Sequence, residues 1–208
     1  MIIHDLTGSE RHPVYQQFEA ANLERQFTFL HSLVDASIRL GRPYLSTSII
    51  RALNCQAIVS LHDEAGQYRS CNVRIGELET PPPHRVPALV DDLVNWVNRY
   101  WHVTDGITLA TFVLWRLAQI HPFVNGNGRT ARAVCYYILC VKFGGWLPGH
   151  PILPDLLKRH RDEYIAALRH ADRMEADPAR TGSPTERLER LVRRLLAEQA
   201  ASVSDEED

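Results

Sequence analysis

The chain has 208 residues, 45% of them hydrophobic and 23% charged, with a formal net charge of −2. That length suits one well-cored domain with extensions, and the slight negative charge removes the electrostatic case for a nucleic-acid partner. No run of about 18 apolar residues occurs, so no membrane span is expected, and the start Met1-Ile2-Ile3-His4-Asp5 lacks the basic and apolar regions of a secretory signal.

Cys55, Cys71, Cys135 and Cys140 are scattered without metal-ligand spacing and read as buried thiols. The ten histidines include no HExxH or paired His–Cys pattern, so no zinc site is expected. A cytoplasmic location fits, with delivery by a secretion apparatus left open.

Residues 14–40 are predicted helical, with Phe18, Ala21, Leu30, Leu33, Val34 and Ile38 as apolar positions, and Gly41-Arg42-Pro43 ends the segment. A second helix starts at Ser46 or Thr47 and runs to near Leu61. Residues 67–76 are the β candidate, because Val73 and Ile75 alternate with Asn72, Arg74 and Gly76. So short and glycine-flanked a stretch fits a hairpin flap, against the plainer reading of a surface turn. Pro81-Pro82-Pro83 predicts a stiff extended connector.

From Val86 to Trp101 the spacing is helical, with Leu89, Val90, Leu93, Val94, Val97 and Tyr100 on the same stripe. Residues 107–119 and 133–141 are apolar almost all round, as central helices of a bundle are. Phe143 to Gly149 is a break. A helix from about Asp155 to His170 is expected next, then a loop over 176–183. Ser183-Pro184-Thr185-Glu186 carries a capping serine, a proline at the first helical position and a glutamate at the third. The final helix puts Leu188, Leu191, Val192, Leu195 and Leu196 on one face, which predicts docking on the domain, while Glu189 reads as part of a solvated face. Residues 202–208 are acidic and expected to be disordered.

Between the two central helices lies His121-Pro122-Phe123-Val124-Asn125-Gly126-Asn127-Gly128-Arg129-Thr130-Ala131-Arg132. Gly126 and Gly128 permit positive φ and close approach of the backbone to a ligand. The loop leads into a helix N-terminus, where free N–H groups favour an anion. Asn127 can cap that end or donate its amide to the anion. Arg129 and Arg132, three apart, share one side of the first turn. Cations are unfavourable at a helix N-terminus, so two of them suggest an anionic ligand that compensates. His121 stands at the rim, a base suited to taking a hydroxyl proton near neutral pH. Phe123 reads as the core anchor of the loop.

This string resembles the Fic family signature, His-x-Phe-x-(Asp/Glu)-Gly-Asn-Gly-Arg-x-x-Arg, and departs from it only at Asn125. The resemblance extends through Gly66-Gln67-Tyr68-Arg69 before it and the 164–168 region after it, covering roughly residues 44 to 172 by eye. It implies an all-α, Fic-type helical bundle with a small β-hairpin flap. The domain organisation that follows is a helical extension over 1–43, a Fic core over 44–172, a second helical extension over 173–201 and the tail.

The activity implied is transfer of AMP from ATP to a Ser, Thr or Tyr hydroxyl of a target protein. His121 would be the base, Asn127 and the Gly126 and Gly128 amides would hold phosphates, and Arg129 and Arg132 would neutralise the outer phosphates. Val73, Arg74 and Ile75 would clamp the target through main-chain hydrogen bonds. Family members carry an acid at the position of Asn125, which holds a divalent ion. A neutral carbonyl oxygen there implies weaker Mg²⁺ binding, or a donor that needs the ion less.

The inhibitory motif of the family, (Ser/Thr)-x-x-x-Glu-(Gly/Asn), has no full match, since Arg51 stands where a glutamate is needed after Thr47 and Arg190 follows the Thr185–Glu189 pair. The chain therefore lacks this form of autoinhibition or is restrained by an inhibitory partner. Two alternatives stay open: a transferase of the same fold that moves phosphate, UMP or phosphocholine, and an inactive nucleotide-binding regulatory module.

Overall fold

The computed structural model describes residues 2–41, 43–76 and 78–203, and of residue 78 only the backbone. In chain order the helices are α1 (Ile3–Thr7), α2 (Pro13–Arg39), α3 (Thr47–Ile58), α4 (Val86–Tyr100), α5 (Gly106–Ile120), α6 (Asn127–Lys142), α7 (Leu153–Arg159), α8 (Arg161–Ala176) and α9 (Glu186–Ala201). Strands β1 (Arg74–Ile75) and β2 (Leu78–Glu79) form one antiparallel hairpin, and a 3₁₀ turn over Pro83–Arg85 leads into α4. Among the described residues the fold is all-α apart from that hairpin.

Helices α5 and α6 are apolar nearly all round and need neighbours on every side. They pack on each other more extensively than any other pair; α2, α3 and α7 cover α6, and α4, α8 and α9 cover α5. Every residue from Ala133 to Val141 is buried. The pair is pinned at the end remote from its connecting loop: a Cβ on Gly106 would lie 3.0 Å from Lys142 Cβ, and Lys142 Nζ donates to the carbonyls of Trp101 and Thr104 at 2.6 and 2.7 Å. The six-residue connection at the other end is thereby held between two fixed helices.

Several expectations change. Phe18 is exposed and Ala21 lies outside the core, whereas Asn22 and Gln26 are buried on α2. Their amides donate to the Val59 and Leu53 carbonyls at 2.8 and 2.9 Å, so the inner face of this half of α2 is polar and invisible to an apolar count. The helix expected over 155–170 is two helices broken at His160 (ψ 39°). The turn lets α7 reach α6 while α8 reaches α5.

The flap begins later than the 67–76 pattern suggests: Val73 precedes the first strand, and its carbonyl accepts from Thr80 Oγ1 at 2.6 Å. Pro82 is extended (ψ 148°), as a polyproline connector requires. Glu189 is half-buried rather than solvated; it accepts from Thr185 Oγ1 at 2.9 Å and Thr108 Oγ1 at 3.1 Å and ties α9 to α5. Ser202, expected in a disordered tail, donates to the Gln199 carbonyl at 2.7 Å, while residues 204–208 lie outside the described residues. Cys71 is exposed, against the expectation of four buried thiols. Among the described residues no helix is long and apolar enough to cross a membrane.

Candidate active site

The loop between α5 and α6 is shaped by its own side chains. Helix α5 stops at His121, which takes a left-handed conformation (φ 50°, ψ 62°) and closes the helix with its N–H on the Leu117 carbonyl. Phe123, the expected anchor, is fully buried and lies near Tyr68, with ring centroids 5.8 Å apart. Asn127 accepts from Phe123 N at 2.9 Å and donates to Phe123 O at 2.7 Å. Both ends of its amide therefore hold the loop, and this side chain is only 5% exposed.

Gly126 is required twice over. Its φ is 75°, and a Cβ would sit 2.8 Å from Ile58 and 3.0 Å from Asn54. Asn54, fully buried on α3, donates to Asn125 O (2.9 Å) and Thr130 Oγ1 (3.2 Å) and accepts from Gly66 N (3.0 Å). It joins three segments of the site, and nothing in its local sequence distinguishes it from an ordinary helical asparagine. Gly126 N–H is taken by Asn125 Oδ1 at 2.5 Å, and the first backbone donor within α6 is Thr130. The amides of Gly128 and Arg129 accordingly sit at an open helix N-terminus.

The two arginines differ. Arg129 is held by protein: it donates to Ala57 O at 2.9 Å and Asn125 Oδ1 at 3.2 Å, and pairs with Glu19 of α2 at 3.3 Å. Arg132 makes no hydrogen bond or ion pair among the described residues, although burial pushes its pKa down. Asp155 acts on it only from beyond ion-pair distance, and a half-buried guanidinium without a direct ion pair is costly. It faces a cavity of about 740 Å³ between α2, α6 and α7, which Arg129, Lys158, Asp155, Leu23, Phe27 and Ile152 also line.

Asn125, the expected metal position, sits in a network that a cation does not fit. Its Oδ1 already accepts from Gly126 N and the Arg129 guanidinium, and its Nδ2 donates to Glu10 Oε1 at 2.7 Å and lies 3.0 Å from His62 Nε2. A divalent ion there would have to displace a guanidinium from a neutral oxygen, while hard cations favour carboxylates. Among the described residues no group of three or more His, Cys, Asp or Glu is arranged to hold a metal.

His121 is not part of the cavity lining. It stands at the head of the loop, beside the flap root, where its carbonyl is held by Arg69. Its Nδ1 is 3.4 Å from the Ala118 carbonyl, a group that can only accept, which leaves Nε2 with the lone pair. Burial holds the imidazole pKa below its usual value, against the Ala118 hydrogen bond and with help from the Arg69 charge. The imidazole is therefore neutral at neutral pH. Arg74 and Ile75 form the first flap strand, and Arg74 pairs with Glu79 across the hairpin at 3.5 Å.

Comparison with known proteins agrees with this geometry. Residues 44–139 match the Fic/DOC family model. The protein adenylyltransferase fic-1 of Caenorhabditis elegans is 31% identical over 145 residues, which are 59% of this chain and 27% of that protein. A probable protein adenylyltransferase of Aquifex aeolicus is 33% identical over 108 residues, 50% of this chain and 30% of that protein. The chain thus spans less than a third of the length of either relative. Among solved structures, a Fic-domain-containing signalling protein of Bacteroides thetaiotaomicron superposes with a TM-score of 0.67 at 22% identity, covering 90% of this chain and 71% of that one. The C. elegans Fic-1 structure superposes with a TM-score of 0.64 at 25% identity, covering 90% and 49%. Motif, loop geometry and helical frame all agree with the match of residues 44–139 to the Fic/DOC family model.

Proposed function

We propose that this chain is a protein adenylyltransferase that moves AMP from ATP to a hydroxyl of a target protein. The observation that carries the reading is Arg132, a half-buried guanidinium with no hydrogen bond or ion pair among the described residues, opening onto a cavity at the N-terminus of α6, with a neutral imidazole at the head of the same loop. The names of the relatives support the same chemistry.

In this reading the nucleotide enters from the α2–α7 side. Its phosphates meet the free amides of Gly128 and Arg129 and the charge of Arg132, and its base enters the apolar end near Phe27. The target lies along the flap and presents its hydroxyl to His121 Nε2. The imidazole takes the proton, the oxygen forms a bond to the α-phosphorus, and the bond to the β-phosphate oxygen breaks. Pyrophosphate departs on the Arg132 side. Positioning and charge neutralisation do most of the work in such transfers. Any Mg²⁺ would travel with the nucleotide's own phosphates, because Asn125 is not free to hold it.

That same Asn125 network favours a second reading, a transferase of this fold with another donor, such as a UMP or phosphocholine carrier. The test is incubation with ATP, CTP, GTP and UTP labelled at the α-phosphate, using wild-type and His121→Ala protein, followed by the intact mass of the product. Label from ATP that disappears in His121→Ala is expected. Equal labelling by both proteins removes the assignment, and a mass other than that of AMP selects the second reading.

A further inference from the structure

Arg69 is 2% exposed and has no carboxylate partner among the described residues. All of its side-chain hydrogen bonds go to backbone carbonyls. Nε donates to His121 O at 2.8 Å, Nη1 to Cys71 O at 2.9 Å, and Nη2 to Pro81 O at 2.5 Å and more weakly to Ile120 O at 3.4 Å. Its own backbone N–H donates to Pro122 O at 2.9 Å.

These acceptors fall into two groups. Ile120 and His121 carry the last carbonyls of α5, the negative end of that helix, where a cation is favoured. Cys71 and Pro81 are the two roots of the flap. One planar group thus closes the end of α5 and ties both flap roots to it.

The flap cannot hold itself. Each strand is two residues long, and its Arg74–Glu79 pair is largely solvent-exposed. Isolated hairpins of this kind are marginal in water. His121 has a related problem, since it must keep a left-handed backbone that few side chains adopt. A lysine at 69 would supply the charge but not the fork that reaches three segments at once.

We propose that Arg69 is a positioning residue that locks the flap and the His121 backbone into one unit, so that the surface receiving the target and the base acting on it keep a fixed relation. This rests on the reading of His121 as the base. The Arg69 charge also helps to press the His121 pKa down, which gives a readout that mere stability does not move.

The experiment compares wild-type, Arg69→Met and Arg69→Lys proteins by hydrogen exchange and by NMR titration of His121. In Arg69→Met, amides over residues 71–80 should lose protection about tenfold or more while α5 and α6 keep theirs, and the His121 pKa should rise. In Arg69→Lys the flap should loosen but the pKa should stay low. Labelling from ATP should fall by about 100-fold in Arg69→Met, as a displacement of about 1 Å costs, with nucleotide affinity retained. Unchanged flap protection, or a His121 pKa that does not move in Arg69→Met, overturns the proposal.

Should Arg69→Met fail to fold, native-state exchange of the wild type decides. The Arg69 and Phe123 amides must open together, and opening of Arg69 with the flap tip alone overturns it. A wild-type protein that labels nothing, yet shows the expected flap and titration behaviour, sinks the proposed function and leaves the clamp standing.

Discussion

His121, the base in the proposed function, is defined by three constraints that pull in different directions. Its backbone must be left-handed to end α5, its Nδ1 faces a carbonyl, and its ring is largely desolvated. Burial disfavours the imidazolium, so protonation occurs at a lower pH than for a free side chain, whose reference value is 6.5. A base works only when deprotonated. The rate of labelling should therefore stay level as pH falls through 6.5 and decline only below it. A pH profile of kcat/KM with its acid limb at or above 6.5 would contradict this assignment, because the measured group would then be less buried than His121.

At the scale of elements, what the sequence makes legible is what depends on apolar spacing. The stripe on α4 and the all-round hydrophobicity of α5 and α6 were sufficient to place the core, because burial of these faces dominates the energetics. Contacts made by polar side chains were not legible. Asn22 and Gln26 line a helix interface through carbonyls 37 and 27 residues away, and the break at His160 serves two docking partners rather than a local breaker.

The attachment of α9 is of the same kind. Gln199 is 1% exposed; it donates to Tyr136, Leu147 and Pro148 and accepts from Leu153 N at 2.8 Å. Gly149 makes room for this, since a Cβ there would fall 1.8 Å from the Gln199 carbonyl oxygen. Gly144 is the natural control, having a similar positive φ and nothing within 4 Å. Gly144→Ala should cost only the backbone preference, about 1 kcal/mol. Gly149→Ala adds a backbone clash and should cost about 3 kcal/mol or more, with α9 amides losing exchange protection first. Equal destabilisation of the two variants in urea would show that α9 is not held through this contact.

For the whole molecule, the candidate site divides in the same way. The twelve-residue string exposes its histidine, its glycines and its arginines, because those sit together in sequence. The partners that decide which arginine is free and which asparagine is structural come from α2, α3 and the α1–α2 turn, and only folding brings them there. The titratable groups summed over the fold make one further statement. His62 and His121 both have folded pKa values lowered from 6.5, chiefly by burial. The unfolded chain then binds more protons than the native one between the folded values and 6.5, so stability present above 6.5 is lost as pH falls through that window. Asp105, whose pKa is lowered from 3.8 despite its burial by hydrogen bonds from Thr108 and Ile107, acts in the same sense at lower pH.

The alkaline side has the opposite sign. Burial raises Tyr15 and Tyr68 from 10.0 to about 12 and Cys140 from 9.0 to about 12, and pushes Tyr136, Tyr137, Tyr164 and Cys135 upward too. The unfolded chain loses these protons first, so stability is full below about 9 and falls as pH rises beyond it. Unfolding by urea should therefore show a plateau from about pH 7 to 8.5 with losses on both sides. The acid shoulder should shrink in His62→Phe, which removes a half-buried group that the fold holds neutral, and a wild-type stability that is flat from pH 5 to 7 would refute the linkage for both histidines.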